Sequence, residues 1–474
     1  MDLRVNDSRD VATRVASSTK DASSSSWIAA ASSRTASQQA LSGSARVMRE
    51  NLLSFENGAR VLFCTDEWFA PCENLIKDSD PSFDPDAYCA QGKVMDGWES
   101  RRKRGAGHDW CVIQLTQPGC LDKLTVDTAF FTGNQTPAIS IQAMTLLTDE
   151  EDDDGISWMP GAVKRLLKHG GGIQGTGQSP QTIQKAQEAC NQHSWTTILE
   201  RTPLQPGYEE SRHHSFSTPF SNTVFTHVRI NYYPDGGVAR IRIHGQPKPL
   251  LNKQSKASNT SPLEHDLAAL SLLSPYESRC VHSTSVDIPS HHLALSLHRN
   301  GGKGITCSNA HYGVPDNLIQ DTSAINMGDG WETARHSHRP SIWKVDDVTG
   351  LLDTPLMDWA VLQLGMGGTS DISRIIIDTH HFRGNYPESV SIQCTDNYAA
   401  NHDKNKTDDN TVWYPLLPRT RVGPDAQHVF DTKQHQLIPL TSIMTHVRIC
   451  IYPDGGISRI HIYGAPRNTP QSHL

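Results

Sequence analysis

Apolar residues along most of this chain recur at every second position, which is the period of a β-strand with one buried face. In residues 227–245 apolar and polar side chains alternate in two runs, Val228–Tyr232 and Ala239–Ile243. The turn between the runs contains Asp235-Gly236-Gly237, which supplies the positive backbone dihedrals of a tight hairpin. Many short runs of this kind, without a long helical period, predict an all-β protein built from antiparallel sandwiches.

Four blocks of sequence occur twice in the same order, which indicates two homologous domains. The pairs are NLI at 74–76 and 317–319, DGWE at 96–99 and 329–332, DTxxFxGN at 127–134 and 378–385, and THVRIxxYPDGG at 226–237 and 445–456. We therefore predict repeats at 60–248 and 303–467.

Three segments fall outside this duplicated pattern. Residues 1–50 contain twelve Ser and few large apolar side chains, which predicts a disordered tail. Residues 249–302 are interpreted as a linker segment, with a short amphipathic helix near 264–273. The first repeat carries 52 residues (143–194) where the second has 19 (394–412), and its acidic and glycine-rich composition predicts a solvated loop insertion at about 149–194.

The composition excludes several classes of function. The chain has 474 residues and a formal net charge of -8, which argues against binding to nucleic acid through excess Lys and Arg. No apolar run reaches the length of a membrane span. Ten cysteines without a C-x-x-C pair favour reduced thiols in an intracellular compartment.

The repeated DGWE block is the richest candidate for chemistry. Glu99 and Glu332 each stand beside a tryptophan and near arginines, a setting that can move a carboxyl pKa in either direction. Arg101 or Arg102, and Arg335 in the second repeat, are candidate clamps for a carboxylate. The structural alternative is an Asp-Gly turn, a packed tryptophan and a Glu–Arg ion pair.

The terminal hairpins offer a second set of polar groups. His227 and Arg229, and their counterparts His446 and Arg448, lie at two-residue spacing on one strand face. Adjacent cations there suggest either an anion pocket or a solvated face with acidic neighbours. YPDGG itself is explained as a turn.

Within the DTxxFxGN block, only the second repeat has a histidine pair, His380 and His381, beside Asp378. A divalent metal could use such residues, but strand alternation would send the two histidines to opposite faces. We therefore expect no cofactor, with a metal as the alternative. No G-x-S-x-G elbow is present, so covalent catalysis has no support.

Taken together, the motifs DGWESRRKR…GHDW, DTAFFTGN, LERTPLQPG and THVRINYYPDGG, with their second copies, resemble the allantoicase family from about Val61 to Gly464. The resemblance implies two tandem jelly-roll domains of the galactose-binding-like type. It also implies hydrolysis of allantoate to ureidoglycolate and urea in allantoin and purine degradation. A non-catalytic tandem carbohydrate-binding module is the alternative, because the fold alone does not fix the function.

Allantoate carries one carboxylate and two ureido groups, so an enzyme needs arginine for the first, amides for the second, and an acid and a base for proton transfer. The candidate catalytic residues are Glu99, Glu332, Asp96, Asp329, His227 and His446, and the candidate substrate-binding residues are Arg101, Arg335, Arg229, Arg448, Trp98, Trp331, Asn134 and Asn385. Which repeat holds the site stays open at this point. We expect the small molecule allantoate as partner, no nucleic acid or membrane, and a homo-oligomer. The final Ser-His-Leu resembles a peroxisomal address with His in place of Lys, so the expected location is cytoplasmic or peroxisomal.

Overall fold

The computed structural model describes residues 49–146, 155–166, 173–220, 222–248, 288–398 and 411–467. Strands dominate the regular structure of these ranges, which confirms the all-β prediction. The acidic run at 149–154, the predicted helix at 264–273 and all but the last two residues of the predicted tail lie outside them. No helix of the described ranges is long and apolar enough to cross a membrane.

The first repeat consists mainly of β-strands, with two α-helices and one 3₁₀ helix among its described elements. Its described elements are β1 (Glu50–Asn51), β2 (Arg60–Cys64), β3 (Asp66–Glu67), a 3₁₀ helix (Cys72–Ile76), β4 (Tyr88–Cys89), β5 (Gly92–Lys93), β6 (Trp98–Glu99), β7 (Asp109–Asp127), β8 (Ala138–Met144), α1 (Ala162–Leu166), β9 (Thr176–Gly177), α2 (Pro180–Asn191), β10 (Thr196–Pro203), β11 (His213–Ser217), β12 (Val224–Tyr233), β13 (Gly237–Val238) and β14 (Arg240–Pro247).

The second repeat follows the same order with fewer additions. Its described elements are β15 (Leu293–Ala294), 3₁₀ helices at His298–Asn300, Pro315–Ile319 and Met327–Asp329, and the strands β16 (Lys303–Cys307), β17 (Trp331–Glu332), β18 (Asp358–Gln363), β19 (Ile372–Asp378), β20 (Ser389–Thr395), β21 (Tyr414–Arg421), β22 (Gln427–Asp431), β23 (His446–Tyr452), β24 (Gly456–Ile457) and β25 (Arg459–Gly464).

Each repeat is a sandwich of two antiparallel layers in a jelly-roll arrangement. In the second repeat the layers are β16-β18-β23-β20-β21 and β15-β25-β19-β22. In the first, β7 is long enough to enter both layers, pairing with β2 and β12 through its first half and with β11 and β14 through its second. The second repeat divides this strand into β18 and β19, because Met366, Gly367 and Gly368 between them all have positive φ.

The apolar runs read from the sequence form the interiors of the two sandwiches. Val228, Ile230 and Tyr232 of β12 are fully buried in the first core, and Val447, Ile449 and Ile451 of β23 in the second. Both repeats begin earlier than predicted, because β1 pairs with β14 and β15 pairs with β25. These two-residue strands are too short to show a period in the sequence.

The insertion in the first repeat is not simply a solvated loop. The helices α1 and α2 cover the outer face of β2 and β7, where Phe63, Trp110 and Val112 pack against Met159 and Ala186. Ser179 caps α2 by accepting a hydrogen bond from the Thr182 amide. The glycines and acidic residues of this segment obscured its short apolar pattern in the sequence. Apolar side chains of the insertion cover this part of the outer sheet face.

Candidate active site

Each Trp-Glu pair of the DGWE blocks is a two-residue strand hydrogen-bonded to the residues after the hairpin turn. β6 pairs with β13, and β17 pairs with β24. A side chain at Gly237 would overlap the ring of Phe131. The second glycine of PDGG therefore allows this ring to pack directly against the turn. The repeated sequence blocks therefore meet at the same end of each sandwich.

The tryptophans of these pairs belong to the protein interior. Trp98 stacks on Tyr232 with ring centroids 4.0 Å apart and donates its Nε1 hydrogen to the Asp66 carbonyl at 2.8 Å. Trp331 is equally buried and donates to the Asn309 carbonyl at 2.8 Å. They fix the neighbouring glutamates in place and do not line a cavity.

Glu99 and Glu332 face one cavity of about 440 Å³ that both repeats line. The Nδ2 group of Asn134 donates to Glu99 Oε1 at 2.9 Å, and that of Asn385 donates to Glu332 Oε1 at 2.8 Å. Both glutamates are more than nine-tenths buried. Four of the predicted site residues are thus brought together, two from each repeat.

Each glutamate is paired with an arginine of the other repeat. Arg102 Nη2 lies 2.6 Å from Glu332 Oε1, and Arg335 Nη2 lies 3.5 Å from Glu99 Oε1. Arg102 and Arg335 occupy equivalent positions 233 residues apart. The cavity is therefore shared by the two repeats.

A layer of aspartates and arginines supports these pairs from behind. Asp454 accepts from Arg102 at 2.9 Å and from Arg104 at 3.0 Å. Asp235 contacts Arg335 directly and lies 3.4 Å from Arg339. These aspartates come from the two YPDGG turns, so each turn also anchors an arginine of the other repeat.

The charge states of these groups follow from burial and neighbouring cations. Burial favours neutral Asp454, but Arg102 and Arg104 outweigh it and hold its pKa well below the ordinary value. Burial and then Arg339 and Arg335 act on Asp235 in the same way, with a lowered pKa as the net result. Both aspartates are thus ionised, and they hold the guanidinium groups in position.

Glu99 has a different balance. Burial raises its pKa to about 7, although Arg335 and Asn134 favour the ionised form. It is therefore close to half protonated at neutral pH. Glu332 lies closer to its arginine, at 2.6 Å, than Glu99 does, at 3.5 Å. The two glutamates are related by sequence but differ in electrostatic setting.

Two further polar residues of the cavity were missed by the sequence analysis. The cavity wall includes Lys93, on the β4–β5 hairpin, and His311, in the segment between β16 and β17. Burial lowers the pKa of His311, so its imidazole is neutral near pH 7. Arg102 was weighed only as an alternative to Arg101. The alignment of Arg102 with Arg335, and of Arg101 with Ala334, was the signal that separates them.

Three predicted residues lie near the cavity without lining it. Arg101 pairs with Asp66 at 2.7 Å and stacks on Trp68. Asp96 pairs with Arg240 at 2.7 Å, and Asp329 accepts a hydrogen bond from the Ile325 amide at 2.6 Å. All three stabilise loops around the site.

The predicted histidines and arginines of the terminal hairpins are elsewhere. Arg229 stacks on Trp110 at 4.1 Å and donates to Gln187 of α2, and His227 is buried against Gly155. Arg448 stacks on Trp413 at 4.5 Å and donates to Gln393, while burial lowers the pKa of His446 on the same strand. These side chains lie on the outer face of each sandwich, because strand alternation directs them away from the core. These four candidate residues therefore do not join Glu99 and Glu332 at the cavity.

The histidine pair of the second repeat also lies outside the cavity lining. His380 pairs with Asp425 at 2.9 Å, and His381 bonds to the Ala324 carbonyl at 2.9 Å. Within the described ranges, the one set of residues spaced to hold a metal ion is His291, His292 and Asp371, near the start of the second repeat. None of the three lines the cavity.

Known proteins share these repeats. A family model described as the allantoicase repeat matches residues 50–248 and 293–467. A probable allantoicase of Pseudomonas aeruginosa (strain UCBPP-PA14) is 32% identical across 86% of this chain and 94% of its own length. A probable allantoicase of Rhizobium meliloti (strain 1021) is 33% identical across 87% and 93%. The crystal structure of the Saccharomyces cerevisiae allantoicase is 26% identical, covers 88% of this chain and 93% of its own, and has a TM-score of 0.28. This chain therefore belongs to the allantoicase family.

Proposed function

We propose that the cavity between the repeats is where this chain hydrolyses allantoate to ureidoglycolate and urea, with Glu99 as the acid and Glu332 as the base. The observation that carries the proposal is the pair of buried glutamates, one from each repeat, facing one cavity with unequal cation contacts. Enzymes that need an acid and a base at the same pH separate two carboxyl groups by environment in this way.

The departing group explains the need for an acid. Urea leaves poorly as an anion, so the nitrogen must receive a proton as its bond to the central carbon breaks. Glu99, with a pKa raised by burial to about 7, carries this proton in a large fraction of molecules at neutral pH. The Asn134 contact holds the carboxyl group in one orientation.

Glu332 completes the reaction from the other repeat. Arg102 and Asn385 hold its carboxylate at the cavity, where it can accept a proton from water. The water oxygen bonds to the central carbon while the carbon–nitrogen bond breaks and the nitrogen takes the Glu99 proton. Glu332 ends protonated and Glu99 ionised, and exchange with solvent restores the starting state.

The charges of the cavity suit a small anion. Its lining contains the cations Lys93, Arg102 and Arg335 and the carboxylates Glu99 and Glu332. Three cations face two carboxyl groups, of which Glu99 is protonated in the reactive state, so the lining has an excess of positive charge that suits the carboxylate of allantoate. The cavity volume also lies within the range of small-molecule sites, roughly 300–1,000 Å³.

We propose further that the reaction uses no metal ion in this cavity. Each glutamate lies beside a guanidinium group, whose positive charge opposes the binding of a divalent cation at the same carboxylate. Urea release is expected to survive dialysis against EDTA. Loss of activity that zinc or manganese restores would contradict this part of the proposal.

The proposed roles are tested by replacing each glutamate alone. Glu99→Gln and Glu332→Gln should each reduce urea release from allantoate by about 100-fold or more, the usual contribution of a general acid or base. Glu200→Gln is the matched control, because Glu200 is exposed on β10. Near-normal turnover in both site variants, with intact folding, would overturn the assignment. Binding of a glycan without any urea release would instead favour a carbohydrate-binding module.

A further inference from the structure

The cavity is built on an approximate twofold relationship between the repeats. Glu99, Asn134 and Arg335 on one side correspond to Glu332, Asn385 and Arg102 on the other. Allantoate has a matching property, because its central carbon carries two identical ureido groups. A fully symmetric cavity would accept the molecule in two orientations, with either ureido group beside Glu99.

Lys93 breaks this symmetry. Its Nζ lies 5.2 Å from the ring centroid of Phe83 and 5.5 Å from that of Tyr88. None of the ion pairs between described residues involves Lys93, whereas Arg102 and Arg335 each contact two carboxylates. Lys93 is thus the lining cation whose charge is not already matched by a buried acid.

The equivalent position in the second repeat has another use. Asn326 lies 233 residues after Lys93, and its side chain accepts from the Gly328 amide at 2.8 Å to cap a 3₁₀ helix. Asn326 does not line the cavity. The cation is therefore present on one side only.

Side-chain volume is unequal in the same region. Beside Asn385, the space above Gly384 is filled by Phe69 and Arg101, whose atoms would lie 2.6 and 2.9 Å from an added Cβ. The equivalent Gly133, beside Asn134, lines the cavity and leaves 3.4 Å to His311. The Asn134 side is thus the more open of the two.

We propose that Lys93 binds the carboxylate of allantoate and thereby determines which of the two ureido groups lies beside Glu99. The inference rests on the proposed function. An ammonium group against aromatic faces, without a paired acid, is an anion site that fixes one end of the substrate. With the carboxylate at Lys93 and the departing ureido group beside Glu99, only the second ureido group and the hydrogen of the central carbon could still exchange places. The unequal space beside Gly133 and Gly384 prevents that exchange, so the hydrolysis yields one enantiomer of ureidoglycolate.

The experiment compares Lys93→Gln with the wild-type protein on two substrates, allantoate and its neutral carboxamide. Loss of a charge-assisted contact should raise KM for allantoate by about 10- to 100-fold, with a smaller change in kcat. The carboxamide should be turned over equally by both proteins. Lys93→Arg should retain most of the binding, and Lys123→Gln, at an exposed position of β7, is the matched control.

Chiral chromatography of fresh ureidoglycolate gives the second readout. Wild-type protein should release one enantiomer and Lys93→Gln a mixture, an effect that simple weakening of the fold would not produce. Unchanged KM and unchanged handedness in Lys93→Gln, with active wild-type protein, would overturn the role of Lys93 alone. A wild-type protein that releases no urea would overturn the proposed function and this inference with it.

Discussion

Arg102 of the first repeat and Glu332 of the second approach to 2.6 Å, and both side chains are at least nine-tenths buried. Arg335 and Glu99 make the reciprocal contact at 3.5 Å. Each repeat thus provides a buried acid that the other neutralises. Both copies of the DGWE block therefore contribute a glutamate to the same cavity.

This relationship predicts a strong effect of Arg102→Gln on stability as well as on activity. Removing the guanidinium leaves Glu332 buried without a cation and leaves Asp454 with Arg104 alone, a change that costs about 3–5 kcal/mol. The double variant with Asp454→Asn should be destabilised by less than the sum of the single changes. Stability should be measured by thermal unfolding and not by denaturation in urea, because urea is a product of the proposed reaction.

Arg49→Gln is the control for Arg102→Gln, since Arg49 is 68% exposed in its pair with Asp122. It should change stability by well under 1 kcal/mol. Additive effects of Arg102→Gln and Asp454→Asn would show that the pair is not coupled.

A second prediction concerns pH. The proposed acid role of Glu99 requires its protonated form, and burial raises its pKa to about 7, so kcat/KM should fall as the pH rises through about 7. The sign follows from the requirement for the protonated form. Residual activity of Glu99→Gln should lack this fall, and a wild-type profile that stays flat from pH 6 to 8 would contradict the acid role.

The sequence was sufficient for the fold because β-periodicity and internal duplication are local properties of the chain. It also identified Glu99, Glu332, Asn134 and Asn385, because each stands in a repeated block. It could not identify the exchange of arginines between repeats, since the pairing depends on how the two sandwiches pack. A local pattern does not encode that packing.

The residues that were missed have a similar physical explanation. Lys93 has Asn326 as its counterpart, so comparison of the repeats gave no signal for it. Asp235 and Asp454 were not selected as candidates, because an Asp before Gly-Gly is fully accounted for as a turn residue. The outer-face residues His227 and Arg229 were selected because spacing on a strand shows which side chains share a face, but not whether that face borders a cavity.

A third prediction concerns the insertion of the first repeat. Arg165 of α1 lies 2.5 Å from Glu67 and 2.7 Å from Glu73, and all three brace the loop that carries Phe69 into the cavity. Arg165→Met leaves Glu67 buried and unpaired, so the free energy of unfolding should fall by about 3–5 kcal/mol. KM for allantoate should rise with it.

Arg242→Met is the matched control for Arg165→Met, because its partner Asp80 is 93% exposed. Thermal unfolding and urea release should stay close to wild type in this variant. Equal effects of the two substitutions would show that the insertion does not support the site.

The last prediction uses a difference between the repeats behind the site. Lys103 pairs with Asp109 at 2.8 Å, and in the equivalent place His336 lies 3.3 Å from Asp358. The bond to Asp358 raises the pKa of His336 above its ordinary value of 6.5. A raised histidine pKa contributes stability that is fully present below about pH 6.5 and is lost as the pH rises through the folded-state pKa. Lysine stays charged throughout this range, so the stability contributed by the pair in the first repeat does not change with pH.

His336→Lys should therefore flatten the dependence of Tm on pH between 6 and 9, and the reciprocal Lys103→His should steepen it. Because the two substitutions exchange the same side chains between equivalent positions, parallel curves for both variants would show that the histidine pair contributes nothing to the pH response of the fold.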